Sequence, residues 1–494
     1  MTDSANLVSV LLAEETSRLI AGDVVTPVSA LRAEAGMWAG HLKSRHPQGS
    51  QIGLVSQNDV SFVSAYLACL AAGMVAVPMN PVSPDPERRR DMDSVRLVEI
   101  LVGPAAASCV ESLNAAAPGV PVTIMEPASR SGTAIDVMSD PATVEPDDIA
   151  VLLFTSGTAG PSKPAILTHR NLRASLLSIK SSDLDLTSEP QATVAVVPLF
   201  HVLGLNVILN LGLAIGATIV LHDEFDVPTL LDQVQTHGVT ILGGPPNMWR
   251  SLSRLDPERT TPLQQLTVAL SGAASLDPSI ARTMREVHNV DLREGYGLTE
   301  TCGVLCSGFG TEHVDIGSVG PVMPGVEVRL VDADGSDVLV GDIGEVWVRG
   351  PMVSPGYWHD EAATDRTRSP GGWFRTGDLA TVDDMGHLSI SGRTKDLVIV
   401  SGFNVHPAEV ENVLQAHPAV DAAAVIGVLD PATGERVDAF VILHEGSELE
   451  GLEERLREHC AANLARYKVP KRIEVMDELP VGIAGKLRRR DLSN

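Results

Sequence analysis

A short segment at residues 155–163 combines glycines, hydroxyl side chains and a final lysine. It follows the apolar run Val151-Leu152-Leu153-Phe154 and consists of Thr155, Ser156, Gly157, Thr158, Ala159, Gly160, Pro161, Ser162 and Lys163. Backbone N–H groups, hydroxyls and an ammonium group together stabilise an anion, and phosphate is the anion that such loops commonly bind. We therefore predict a phosphate-binding loop between a strand and a helix.

The two commonest nucleotide-binding patterns do not fit the sequence. A Walker A loop needs Gly-Lys where residues 162 and 163 are Ser-Lys. The segment Gly295-Tyr296-Gly297-Leu298-Thr299-Glu300 begins like a dinucleotide-binding fingerprint, but Glu300 replaces the third glycine that allows close helix packing. No Gly-x-Ser-x-Gly and no His-Glu-x-x-His motif is present, which argues against hydrolase and zinc-enzyme chemistry.

Further motifs follow the first loop in one order along the chain. They are Thr168-His169-Arg170-Asn171-Leu172, Pro198-Leu199-Phe200-His201, Ser271-Gly272-Ala273-Ala274, Gly295 to Glu300, Trp373-Phe374-Arg375-Thr376-Gly377-Asp378, Gly392-Arg393-Thr394-Lys395-Asp396 and Gly485-Lys486. From about residue 50 to its end, the chain resembles the acyl-adenylate-forming superfamily of acyl-CoA synthetases, adenylation domains of peptide synthetases, and luciferases.

The resemblance implies an AMP-forming acyl-CoA synthetase that uses ATP, Mg²⁺ and coenzyme A. A carboxylate oxygen attacks the α-phosphate of ATP, pyrophosphate leaves, and a thiol then displaces AMP from the acyl-adenylate. The implied ATP-binding residues are Thr155, Ser156, Gly157, Thr158, Ala159, Gly160, Lys163, Gly272, Ala273, Ala274, Glu294, Gly295, Tyr296, Asp378 and Arg393. Within this set, the loop holds the β- and γ-phosphates, Tyr296 stacks on adenine, and Asp378 and Arg393 bind the ribose hydroxyls.

The resemblance also implies the catalytic residues. Lys486 neutralises the charge that develops between the acid oxygen and the α-phosphate. Thr299 contacts the α-phosphate, and Glu300 holds Mg²⁺ because a hard cation takes oxygen ligands. His201 is implied as an aromatic gate between the carboxylate and the thiol. A lone histidine beside apolar residues is otherwise more often a packed core residue.

A rotating small domain completes the implied mechanism. Its hinge is Lys395, and its movement brings the thiol channel, formed by Ser401, Gly402 and Phe403, toward the adenylate. The expected acyl pocket consists of His201, Leu205, Asn206, Ala273, Gly297, Val304 and Leu305, which are mostly apolar or small and include no Lys or Arg. We therefore expect a hydrophobic monocarboxylic acid as the substrate.

The end of the first loop departs from the family pattern. The family's Gly-x-Pro-Lys-Gly is replaced by Gly160-Pro161-Ser162-Lys163-Pro164. One proline is moved, and a second proline replaces the last glycine. Pro164 lacks a backbone N–H donor and fixes φ. We therefore expect a phosphate affinity different from that of typical members.

The elements that position these residues change in character along the chain. Repeated β-α-β units, such as the one at residues 51–80, predict a large α/β domain with layered parallel sheets. From about Gly317, short alternating strands predict an antiparallel β subdomain. After Arg393, the pattern predicts a small α+β domain. We place an N-terminal adenylate-forming domain at 1–392 and a mobile C-terminal domain at 393–494.

Composition limits the partners. The chain has 494 residues, with 37 Lys+Arg, 63 Asp+Glu and a formal net charge of −26, which argues against nucleic acid. Five sparse cysteines and an N-terminus without a secretory pattern indicate a cytoplasmic protein. Two apolar stretches, 60–84 and 194–221, are broken by Pro and Gly and predict buried elements rather than membrane spans.

Two alternative functions remain open. The first is an acyl-AMP ligase that loads the pantetheine thiol of an acyl carrier protein, and the sequence ending soon after Lys486 favours the free-standing synthetase over it. The second is an inactive adenylate-binding homologue, which the retained Glu300, Asp378, Arg393 and Lys486 argue against. The sequence predicts no oligomeric state.

Overall fold

The computed structural model describes residues 5–125, 140–155, 162–186, 189–223, 225–311, 313–480 and 487–492. The chain divides into two compact units. The first comprises Met1–Glu327 and Arg349–Phe374, and the second comprises Val328–Val348 and Arg375–Asn494. Most of the antiparallel strands after residue 317 thus belong to the same unit as the C-terminal region. The boundary predicted after residue 392 for a moving domain remains a prediction.

Two sheets form the framework of the first unit. Its strands up to residue 307 are β1 (Arg18–Ala21), β2 (Val24–Pro27), β3 (Gln51–Val55), β4 (Val75–Met79), β5 (Leu97–Val102), β6 (Val122–Ile124), β7 (Ile149–Thr155), β8 (Lys163–Thr168), β9 (Ala192–Ala195), β10 (Thr218–Leu221), β11 (Ile241–Gly244), β12 (Val268–Ser271), β13 (Leu292–Leu298) and β14 (Gly303–Ser307). The sheet orders are β6-β5-β3-β4-β7-β8 and β14-β13-β12-β11-β9-β10-β1-β2. Pairing is parallel except for β1–β2, β7–β8 and β13–β14.

Helices cover these sheets. They are α1 (Val8–Leu11), α2 (Val28–Arg45), α3 (Val60–Ala72), α4 (Asp85–Asp93), α5 (Val110–Ala116), α6 (His169–Lys180), α7 (Leu211–Ala214), α8 (Val227–Thr236), α9 (Pro246–Ser253), α10 (Pro278–Glu286) and α11 (Glu361–Arg366). A π-helix, Leu203–Asn210, leads directly into α7.

The largest core cluster includes α3, which is apolar on all sides and almost wholly buried. A helix of this kind belongs inside a layered structure rather than on its surface. Asp59 caps its start by accepting a hydrogen bond from the Phe62 N–H at 2.7 Å. Gly73, with a φ of 69°, ends it. The stretch 60–84 is therefore a buried helix followed by a buried strand, as predicted. No helix among the described residues is long and apolar enough to cross a bilayer.

The position predicted for the phosphate-binding loop needs a correction. The loop does not join a strand to a helix, because β8 lies between it and α6 and pairs antiparallel with β7. The loop therefore connects the two strands of a β-hairpin, and α6 begins only after its cap, Thr168. The short apolar run 164–167 forms a strand, and not a connection to the helix, because it pairs with β7. The periodicity of the sequence alone does not reveal this pairing. Pro164 fits because β8 is an edge strand of its sheet.

Short antiparallel strands and a separate core characterise the rest of the chain. The remaining strands are β15 (Glu327–Val331), β16 (Gly344–Arg349), β17 (Arg368–Ser369), β18 (Trp373–Val382), β19 (Leu388–Arg393), β20 (Val398–Val400), β21 (Phe403–Val405), β22 (Val420–Asp430), β23 (Gly434–Leu443) and β24 (Arg472–Val475). The helices are α12 (Pro407–Gln415) and α13 (Leu452–Asn463). They pack on the sheet β21-β20-β23-β22, to which β24 adds in parallel. The predicted fold class is confirmed: layered α/β sheets, an antiparallel subdomain and a small α+β C-terminal region.

Candidate functional site

The predicted phosphate-binding loop ends at the described residues Ser162 and Lys163, where β8 begins. Lys163 lies opposite Thr155 in the hairpin register. Its ammonium group forms an ion pair with the carboxylate of Asp360. Ser162 Oγ donates a hydrogen bond to Asp91 Oδ1 at 2.8 Å, and burial raises the pKa of Asp91 to about 6. Two carboxylates from separate helical segments therefore hold this end of the loop.

Several predicted site residues lie outside the described residues. They are the loop residues Ser156, Gly157, Thr158, Ala159 and Gly160, and the catalytic lysine Lys486. Their roles remain predictions.

Thr299 and Glu300 lie in a short 3₁₀ turn at the carboxyl end of β13. Tyr357 Oη donates a hydrogen bond to Glu300 Oε1 at 2.6 Å. The Ser354 N–H donates to the carbonyl oxygen of Glu300 at 2.7 Å. Burial, together with the adjacent Glu300 carboxylate, raises the pKa of Tyr357, so its phenol keeps the proton that it donates. The carboxylate predicted to bind Mg²⁺ therefore has one oxygen fixed by a phenol.

The residues predicted to surround adenine lie on two neighbouring parallel strands. Ser271 of β12 pairs in register with Glu294 of β13. The residues that follow this pair are Gly272, Ala273 and Ala274 on one chain segment and Gly295 and Tyr296 on the other. Ala273 has a φ of 70°, an uncommon conformation for a residue with a side chain. The carboxyl ends of parallel strands are where open α/β sheets bind ligands.

Glu294, predicted to bind ATP, hydrogen-bonds to the protein itself. Its Oε2 accepts from the Leu276 N–H at 3.2 Å. Burial raises the pKa of Glu294 to about 7. The side chain therefore supports the turn that carries Gly272 to Ala274, a role that the sequence alone does not indicate.

The predicted ribose-binding residues belong to the second unit and form a pair. Asp378 on β18 and Arg393 on β19 lie directly opposite each other across the antiparallel ladder. Arg393 Nε is 2.9 Å from Asp378 Oδ1, and the Asp378 side chain is almost fully buried. A buried carboxylate held by an arginine is a fixed acceptor for hydroxyl groups.

The residues of the expected acyl pocket differ in their surroundings. His201 precedes the π-helix, and its ring centroid is 4.7 Å from that of Phe200. Leu205 and Leu305 are buried in the core. Asn206 is also buried, and it donates to the Cys302 carbonyl at 2.7 Å while accepting from Asn210 at 2.9 Å. The polar atoms of Asn206 thus take part in an internal network.

The other three residues expected in the acyl pocket are more accessible. Ala273 and Gly297 are exposed, and Val304 is half-buried. At Gly297, a Cβ atom would lie 1.7 Å from the Gly303 carbonyl oxygen. The strands β13 and β14 approach closely at this bulge, which explains why position 297 is glycine.

The predicted hinge and thiol channel lie in consecutive turns of the second unit. Lys395 is in the 3₁₀ turn Thr394–Asp396. Ser401 and Gly402 form a turn with φ values of 53° and 84°. Phe403 is more than half exposed, and its ring stacks on Tyr467 with centroids 4.8 Å apart.

A three-residue ion cluster lies beside the predicted hinge. Arg489 Nη2 is 2.6 Å from Glu411 Oε1, and Arg489 Nη1 is 3.6 Å from Asp396 Oδ2. Arg489 Nε also donates to the Val425 carbonyl at 3.1 Å. This arginine therefore fixes the 3₁₀ turn Arg489–Leu492 against α12 and the hinge turn.

Sequence reasoning missed Tyr357, Asp360 and Asp91. None belongs to the motifs named above, and each contacts a partner far away in the chain. The one local signal is at Asp360, which precedes α11 and caps it by accepting from the Ala363 N–H at 2.8 Å. No comparable local signal indicates the contact of Tyr357 with Glu300.

Comparisons with known proteins identify the family of the chain. Residues 28–358 match the family described as AMP-binding enzyme, and residues 409–486 match the AMP-binding enzyme C-terminal domain. The chain is 33% identical to a long-chain-fatty-acid–CoA ligase of Yersinia pestis, over 90% of this chain and 85% of that protein. It is 34% identical to a feruloyl-CoA synthase of an Amycolatopsis species, over 90% and 88% respectively.

A similar solved structure is ATP-bound MatB from Rhodopseudomonas palustris. It is 30% identical, superposes with a TM-score of 0.90, and the match covers 99% of this chain and 98% of that one. The predicted superfamily and enzyme class are thereby confirmed. The chain belongs to the AMP-binding enzyme family, within the adenylate-forming superfamily, and is an AMP-forming acyl-CoA synthetase.

Proposed function

We propose that the enzyme activates a hydrophobic monocarboxylic acid. The acid oxygen attacks the α-phosphate of ATP, the bond to pyrophosphate breaks, and the thiol of coenzyme A then displaces AMP to give the acyl-CoA. The expected pocket residues contain no Lys or Arg to pair a second carboxylate. Two of the relatives are named for long-chain fatty acids and for feruloyl-CoA, which supports a hydrophobic or aromatic acid.

One observation carries the assignment of the phosphate region. Lys163 and Glu300, which are far apart in sequence, both contact the short segment Tyr357–Asp360. They therefore lie close enough to act on one ligand. Lys163 would contact the β- and γ-phosphates, and Thr299 would contact the α-phosphate.

The residues present fit a magnesium ion. Glu300 is a hard oxygen ligand with one oxygen fixed by Tyr357. Mg²⁺, when bound there with ATP, would neutralise charge on the leaving pyrophosphate. Lys486 would stabilise the charge that develops at the α-phosphate. The pair Asp378 and Arg393 would bind the ribose hydroxyls. His201 would separate the carboxylate from the incoming thiol.

A panel of acids tests the substrate class. Each acid is incubated with ATP and Mg²⁺, with and without coenzyme A, and acyl-AMP and acyl-CoA are quantified by mass spectrometry. We expect hydrophobic monocarboxylates to give acyl-CoA. Turnover of dicarboxylates or amino acids alone would overturn the proposed substrate. Acyl-AMP that accumulates without acyl-CoA would instead favour loading of a carrier protein.

The variant Lys486→Ala tests the mechanism. We expect acid-dependent exchange of pyrophosphate into ATP to fall by at least about 100-fold, because a positioned charge that stabilises a transition state contributes this much. Conversion of a supplied acyl-adenylate to acyl-CoA should be largely retained, because that step does not need the lysine. Exchange at the wild-type rate would remove Lys486 from the active site.

A further inference from the structure

A single segment, Tyr357–Asp360, contacts both groups that the proposed mechanism assigns to the metal and polyphosphate of ATP. Tyr357 Oη donates to Glu300 Oε1 at 2.6 Å, and Asp360 pairs with Lys163. All four side chains belong to the first unit. The segment therefore places a donor and an acceptor directly on the two candidate ATP ligands.

The segment is held in place independently of these two contacts. The Ile166 N–H donates to the Gly356 carbonyl, and the Trp358 N–H donates to the Pro164 carbonyl, both at 2.9 Å. These bonds attach the segment to the edge of β8 that does not pair with β7. Asp360 also caps α11 through its Oδ1. Its carboxylate is thus positioned before any contact with Lys163 forms.

The ion pair between Lys163 and Asp360 is only partly protected from water. About a third of each side chain is exposed, 31% for Lys163 and 33% for Asp360. The ammonium group lowers the pKa of Asp360, so the carboxylate is charged at neutral pH. A triphosphate carries more negative charge than a carboxylate and competes for the same ammonium group.

We propose that Asp360 holds Lys163 in the nucleotide-free enzyme and is displaced from it by the β- and γ-phosphates of ATP. The proposal rests on the proposed role of Lys163. Asp360 then weakens the binding of ATP and of pyrophosphate, and it recaptures Lys163 when pyrophosphate leaves. Tyr357 keeps its bond to Glu300 throughout, so Asp360 is the exchangeable contact and Tyr357 the permanent one.

The substitution Asp360→Asn removes the charge and keeps the helix cap, because asparagine caps helices as well as aspartate does. We expect the dissociation constants of Mg²⁺–ATP and of pyrophosphate, measured by calorimetry, each to fall about three-fold, since partly exposed ion pairs contribute little. Asp365→Asn is the matched control, because it removes the same charge from an exposed position of the same helix.

A double-mutant cycle separates the ion pair from a general charge effect. In a Lys163→Ala background, Asp360→Asn should no longer strengthen ATP binding. An equal effect with and without Lys163, or an equal effect of Asp365→Asn, would overturn the proposal. If Lys163→Ala alone leaves ATP affinity unchanged, the proposed role of Lys163 is wrong. If it weakens ATP binding while Asp360→Asn has no effect, only the present inference is wrong.

Discussion

At the scale of single residues, burial decides how the acids of the site behave. Asp378 is buried beside Arg393, whose Nε is 2.9 Å from its Oδ1, whereas Glu294 lies in surroundings that disfavour its charge. Glu300 differs from both, since one of its oxygens accepts from a phenol. Residue type alone indicated three acids near ATP. The structure assigns them different partners, and therefore different chemistry.

Glu294 should make stability depend on pH. Its pKa is about 7 in the folded protein, above the ordinary value of 4.5. The folded state therefore binds this proton more tightly than the unfolded state, and stability falls as pH rises from about 4.5 through 7. We expect Glu294→Gln to match the wild type near pH 4.5 and to be more stable by about 1–3 kcal/mol at pH 8.

Thermal melts across this pH range check the prediction. The exposed Glu286, changed to Gln, serves as the control because it lies on the surface of α10. A difference between Glu294→Gln and wild type that stays constant with pH would show that the charge of Glu294 is not the cause.

At the scale of elements, the C-terminal turn depends on Arg489. Its partner Glu411 is mostly buried, and burial raises the pKa of that carboxyl while the Arg489 guanidinium opposes the rise. We expect Arg489→Ala to cost about 1–3 kcal/mol of stability, because it leaves a buried carboxylate without its cation. The double variant Arg489→Ala with Glu411→Gln should recover part of this loss.

Chemical denaturation of Arg489→Ala, Glu411→Gln and the double variant measures the coupling between Arg489 and Glu411. Arg488→Ala is the control, because Arg488 is exposed and adjacent in sequence. Additive losses in the double variant would show that the pair is not coupled.

Most elements were predictable because their patterns are local. The continuous apolar run of β7 and the apolar length of α3 indicate buried elements directly. The hairpin β7–β8 was not predictable, because the composition of residues 164–167 does not indicate which strand they pair with. The same holds for the site: the motifs indicate Lys163 and Glu300, whereas their partners Asp360 and Tyr357 are joined to them only by folding.

At the scale of the whole molecule, the C-terminal core is self-contained. Its buried members all follow residue 392 and come from β20 to β24, α12 and α13, for example Val398, Val410, Val425 and Ile473. We expect a fragment of residues 393–494 to fold by itself, because it keeps this entire core and lies in the usual size range of domains.

Circular dichroism and the dispersion of amide NMR signals test the fragment, with residues 375–494 as the comparison. A folded longer fragment beside an unfolded shorter one would move the domain boundary to residue 375, where the second unit resumes. Two folded fragments would support the boundary predicted after residue 392.

The π-helix at Leu203–Asn210 affects the direction of His201 through the number of residues that it contains, not through their types. A π-helix takes up more residues per turn than an α-helix, and such turns are frequent at functional sites. If one residue were deleted between His201 and the buried Asn210, the segment could relax into an α-helix. Because the wider π-helical turn accommodates the extra residue, this relaxation would leave the direction of His201 relative to Asn210 nearly unchanged. The same deletion in a segment that is already α-helical would rotate His201 by about 100° relative to Asn210. The wide turns therefore protect the direction of His201 from a change in segment length, a property that a substitution scan would not reveal.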